Sequence, residues 1–165
     1  MKKFLLLSFI SLYLVSCRIN KIDSSYYKLN ENIDFKIVRL IDGRKRTASN
    51  QTVYTANEDF RYKQAHIKIR NNHEEKQGFD LSHLYLVDKY NRKHKVSRVM
   101  KNLQFQTNSS MVNTEKKLGG KKQGLYIVDF TPAFPKDELV LKIAIDTSDS
   151  EALSENARII SLVTE

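Results

Sequence analysis

Cysteine is almost missing: Cys17 is the only one in 165 residues. A single thiol excludes an intrachain disulfide and any metal site built from several cysteines. Tryptophan is absent, which removes the strongest sugar-stacking side chain. The two prolines both fall in Thr131-Pro132-Ala133-Phe134-Pro135, a stretch where regular strand pairing is not expected. The five glycines build no phosphate-cradling loop, and no serine stands in Gly-x-Ser-x-Gly. No apolar run reaches the roughly 20 residues that a membrane-spanning helix needs. What remains is a chain that must hold itself together by apolar packing.

The one apolar run that does occur is at the start. Lys2 and Lys3 are followed by uncharged residues 4 to 15, rich in Leu, Phe and Ile, as in a secretory leader. The run closes on Leu14-Val15-Ser16-Cys17, which resembles the lipobox of bacterial lipoproteins. That resemblance implies diacylation of the Cys17 thiol, cleavage before Cys17 and acylation of the new amino group. Several acyl chains, at about 0.8 kcal/mol per buried methylene, anchor far more firmly than one. Arg18, where an aspartate would favour inner-membrane retention, favours the outer membrane if the cell has one. The expected organisation is a signal peptide over 1–16, a lipidated tether over 17–32 and one domain over 33–165.

Without Lys2 and Lys3 the chain carries 26 basic against 19 acidic residues. Such a surface suits anionic lipid heads, cell-wall polymers or acidic proteins, or it serves solubility alone. Export argues against nucleic acid.

From Ile33 the apolar pattern has period two. Ile33, Phe35 and Ile37 alternate with Asp34 and Lys36; Ala65, Ile67 and Ile69 alternate with His66, Lys68 and Arg70. Leu81 to Val87 and Leu125 to Phe130 are apolar on both faces, as in central strands. Val96 to Met100, Leu139 to Ile145 and Ile159 to Val163 complete the set. Residues 101–124 carry loop chemistry, and Ser148 to Glu151 has the spacing of a helix cap, so at most one helical turn is expected over 149–156. Seven to nine short strands without a long helix predict an all-β, two-layer antiparallel sandwich or a barrel.

Ala65-His66-Ile67-Lys68-Ile69-Arg70-Asn71-Asn72 resembles the strand and turn of immunoglobulin-like domains found in many bacterial lipoproteins. Leu84 to Asp88 and the pair Leu125–Phe130 and Leu139–Ile143 follow in the same order. The likeness spans roughly 33–146 and implies an immunoglobulin-like antiparallel sandwich placed outside the cytoplasm, with no catalytic residues to carry over. The long 101–124 stretch and the strand after Thr147 depart from it.

Three constellations are candidates for chemistry. His73, Glu74, Glu75 and His83 lie around one hairpin and could converge on a metal, although a solvated turn explains them as well. Acidic pairs such as Asp137-Glu138 lie in loops, and adjacency alone does not make an acid–base pair. Lys89, Arg92, Lys93, Lys95, Arg98 and Lys101 fall within 13 residues, with Lys116, Lys117, Lys121 and Lys122 in the following loop. They form a candidate site for an anionic or protein partner, or a charged edge that blocks strand addition. No cofactor motif and no metal set is read from the chain. The expected function is a non-catalytic binding module, lipid-anchored in the cell envelope. The alternative is a small extracytoplasmic hydrolase or metal-dependent enzyme on the same scaffold.

Overall fold

The structure, a computed structural model, describes residues 23, 25–47, 52–101, 113–138, 140 and 142–162. Among them every regular element is a strand and every pairing is antiparallel. Cys17, the leader and residues 102–112 of the 101–124 stretch lie outside the described residues.

The centre of the molecule is β5 (Phe60–Asn71), whose odd-numbered residues from Lys63 to Asn71 are buried. Ala65, Ile67 and Ile69 fill the middle of this inward row; a lysine and an asparagine close its two ends. β5 lies between β2 (Ile33–Gly43) and β10 (Gln123–Thr131). β1 (Tyr27–Lys28) pairs on the outer side of β2, with Tyr27 opposite Phe35. Pairing therefore begins ahead of Ile33, inside the stretch expected to be tether.

β8 (Lys93–Lys101) pairs with β10 from Lys95 onward, and with β7 (Leu84–Val87) through Lys93, His94 and Lys95. It thus carries the sheet from one layer into the other. β12 (Lys142–Ile145) and β13 (Arg158–Ser161) complete the second layer. The curled sheet nearly meets itself: Asp23 N–H, ahead of β1, donates to the carbonyl of Leu162, just after β13. The result is the expected all-β two-layer antiparallel sandwich, made from one nine-stranded sheet.

Ile33, Phe35 and Ile37 of β2 share one core with Leu84 and Leu86 of β7, Ile143 of β12 and Ile160 of β13. Each such fully buried side chain contributes about 1.5–3 kcal/mol of transfer free energy. With one cysteine in the chain, this packing is the source of stability.

Two ribbons lie off the main sheet. β3 (Lys45–Thr47) pairs with β4 (Val53–Thr55), extending the β2 end of the molecule. β6 (Gln77–Asp80) pairs with β9 (Glu115–Leu118) and lays Phe79 edge-on against Tyr126. β3, β6 and β9 are absent from the periodicity because each is too short, and too rich in charge, to alternate visibly. The proline stretch, where pairing was not expected, supplies β11 (Phe134–Pro135), a two-residue pairing with the start of β5. Residues 149–156 hold no helix; Ala152 forms a single bridge to Arg92.

Candidate functional site

The turns 56–59 and 88–92 and the link 132–138 meet at one end of the sandwich. The link runs back over the start of β5, where Lys136 N–H donates to Asp59 O. Phe134 is driven inward and stacks on His94, ring centroids 3.6 Å apart. Beneath it, Lys63 Nζ donates to Asp42 Oδ2 at 2.8 Å and to the carbonyl of Glu138 at 3.0 Å. A lysine at an inward position is tolerated because both partners satisfy it.

Asp88 builds the adjacent turn. Its Oδ1 accepts from the backbone N–H groups of Tyr90 and Arg92, and its Oδ2 accepts from Arg92 Nε at 2.6 Å. Burial pushes its carboxyl up, but these donors outweigh it and hold the group below the usual range. Asn91 takes the left-handed conformation, φ 60°, that closes the turn. His94 Nδ1 lies 3.0 Å from Pro132 O, so this nitrogen carries the proton. Its Nε2 faces Asp88 Oδ2 at 3.5 Å.

A cleft of about 490 Å³ opens over this cluster, lined by Asp59, Lys89, Pro135, Lys136, Asp137 and Glu138. Glu138 Oε1 accepts from Lys89 N–H at 2.8 Å; its Oε2 is buried without a partner. The lining contains charged groups of both signs but no hydroxyl, thiol or imidazole, and the His94 ring lies between Pro132 O and Asp88. Such a lining can meet a charged partner through either sign.

The six cations read from the sequence do not form one patch. Lys93 Nζ is buried over the ring of Tyr85 and held by Asp146 Oδ2 and Ser148 O. Arg98 is paired with the buried Asp129 at 2.6 Å, and Arg92 with Asp88. Lys89, Lys95 and Lys101 are exposed. Lys101 ends β8, roughly 26 Å along the strand from Lys93. β8 is also no sheet edge, since β7 and β10 flank it. The alternation of Lys93, Lys95 and Lys101 with apolar residues hid which cations meet aspartates, because those partners come from Asp129 and Asp146, far along the chain.

The histidine hairpin does not converge either. His73 Nδ1 accepts from Glu75 N–H, and Glu74 pairs with Lys121 at 3.1 Å. Among the described residues no three His, Cys, Asp or Glu side chains are placed to hold a metal ion. Glu138 was read as half of a loop acidic pair and the exposed Tyr90 only as turn, while Lys136 was not singled out; the sequence signal near Lys136 and Glu138 was the pair Pro132 and Pro135 just ahead of them.

No protein-family model matches the chain, and no curated protein matches it. Among solved structures, an uncharacterized β-sandwich protein from Clostridium difficile 630 is similar at 10% identity. The match covers 86% of this chain and 92% of that one, with a TM-score of 0.44. The fold assignment above stands on the strand pairing and the shared core.

Proposed function

We propose that the chain is a lipid-anchored lipoprotein of a bacterial cell envelope whose sandwich is a non-catalytic binding module for an anionic partner. The leader and its Leu-Val-Ser-Cys close support the anchor at Cys17. The observation that carries the binding reading is the charged cleft: Lys89 and Lys136 line it together with Asp59, Asp137 and Glu138, backed by a turn that Asp88 locks in place. The immunoglobulin-like resemblance supports a position outside the cytoplasm.

Two measurements test this. Radiolabelled fatty acid is incorporated by the native chain and not by Cys17→Ser; label persisting in the variant removes the anchor. Charge reversal of Lys89 and Lys136 together weakens retention on anionic envelope fractions, whereas reversal of Lys101, at the other end, does not. Equal retention of all three proteins removes the site.

A further inference from the structure

Among the described residues six large apolar side chains are exposed, and four of them gather at the cleft end: Tyr90 is 64% exposed, Val53 56%, Tyr54 44% and Phe60 41%, while Val38 and Ile159, each 50%, lie along β2 and β13. The described turns 72–76 and 119–122 at the opposite end expose none. Two of these rings carry cations on their faces. Lys89 Nζ lies 5.0 Å and the Arg92 guanidinium 5.1 Å from the Tyr90 ring centroid; the Arg46 guanidinium lies 5.1 Å from that of Tyr54. An aromatic ring flanked by cations fits the headgroup layer of a bilayer, apolar body inward and charge on the phosphates.

The path of the chain points the same way. β1 is antiparallel to β2, so the residues before Tyr27 run toward the Gly43 end. Asp23 N–H reaches Leu162 O, one residue beyond Ser161, which lies opposite Lys142 and so next to Val87 and the Asp88 turn. From Cys17 to Asp23 is six residues, a reach of at most about 20 Å. β5 alone, at 12 residues, is roughly 40 Å long. A lipid on Cys17 therefore joins the sandwich from the side of the cleft end.

We infer that this end rests on the phospholipid surface, with Tyr90, Phe60 and Tyr54 at headgroup depth and Lys89, Arg92 and Arg46 on lipid phosphates. The inference rests on the lipid-anchor reading and specifies its anionic partner as the bilayer itself. Asp59 and Asp137, both exposed, line the cleft at this same end.

Because the chain has no tryptophan, single replacements report cleanly. Tyr90→Trp, Phe60→Trp and, at the far end, Lys76→Trp are made in the full chain and bound to phosphatidylglycerol vesicles containing brominated acyl chains. Where mass spectrometry of the isolated protein finds no lipid on Cys17, the same thiol is coupled to a maleimide lipid. The mass thus decides the natural anchor, and the fluorescence decides the orientation with a tether in either case. The expected result is a blue shift and loss of emission at positions 90 and 60 and neither at 76. Quenching at 76, equal quenching at all three positions, or none at any of them overturns the inference; so does an unchanged pattern confined to uncharged vesicles.

Discussion

Asp146 shows how one side chain can fix a region. Its Oδ1 accepts from Ser148 N–H and Ser154 Oγ, its Oδ2 from Ser154 N–H and Lys93 Nζ. Burial works against the ionised carboxyl, yet these four donors hold it well below the ordinary range. Asp146→Ala leaves Lys93 buried and uncompensated, so it costs about 3–5 kcal/mol in urea unfolding. Glu74→Ala breaks only the exposed pair with Lys121 and costs no more than about 1 kcal/mol. Equal costs for the two variants refute this account of Lys93. Asn71 is a second such residue: its amide donates to the carbonyls of Glu75, Leu118 and Gly119, and its oxygen accepts from His73 N–H. The Asn-Asn pair stood out in the sequence. That it ties the β5 turn to the end of β9 was not visible there, because Leu118 and Gly119 lie far along the chain.

At the scale of the elements, the loop after β9 closes on the turn after β5. Lys121 N–H donates to His73 O, and a Cβ on Gly120 would stand 1.5 Å from the Glu74 carbonyl oxygen. Backbone cannot yield as a side chain can, so Gly120→Ala costs about 2–3 kcal/mol. Gly119→Ala meets only the flexible Lys122 side chain and stays near or below about 1 kcal/mol. Thermal unfolding of the two variants checks this; similar midpoints for both refute the close approach. The long strands β2 and β5 were legible because half of each is apolar at period two, and β10 because it is apolar on both faces. β8 was legible as a strand, but its position between two partners was not, since its alternating lysines read equally well as an edge.

For the whole molecule, buried and half-buried acids set the pH dependence. Asp34, Asp80, Asp88 and Asp146 are all lowered: burial opposes each, and hydrogen bonds from Arg70, Ser82, Arg92 and Ser154 in turn prevail. A lowered folded value means stability that is complete above the unfolded carboxylate range, near pH 4, and lost as pH falls below it. His66 is lowered by burial and by Arg39, so it too binds its proton more readily when unfolded and costs stability below about pH 6.5. At the alkaline end Tyr27, pushed up to about 12 by burial and Asp23, gives stability that is lost as pH rises from 10 toward 12. Urea midpoints measured from pH 3 to 11 are expected to be highest between about pH 7 and 9 and to fall steeply below pH 4. A midpoint that rises on acidification contradicts the assigned pairs.

The alternation of apolar and polar residues by itself determined that the chain is built of strands, because a pleated strand half-buried in a core imposes period two on whatever sequence forms it. The scarcity of cysteine determined that packing, not cross-links, holds those strands. Only the tertiary structure decided which charges are spent and which are offered. Lys93 and Arg98 go to Asp146 and Asp129, while Lys89 and Lys136, 47 positions apart in the chain, come to share one cleft. That choice depends on how the sheet curls, and the curl is set by cross-strand registers that local sequence does not encode.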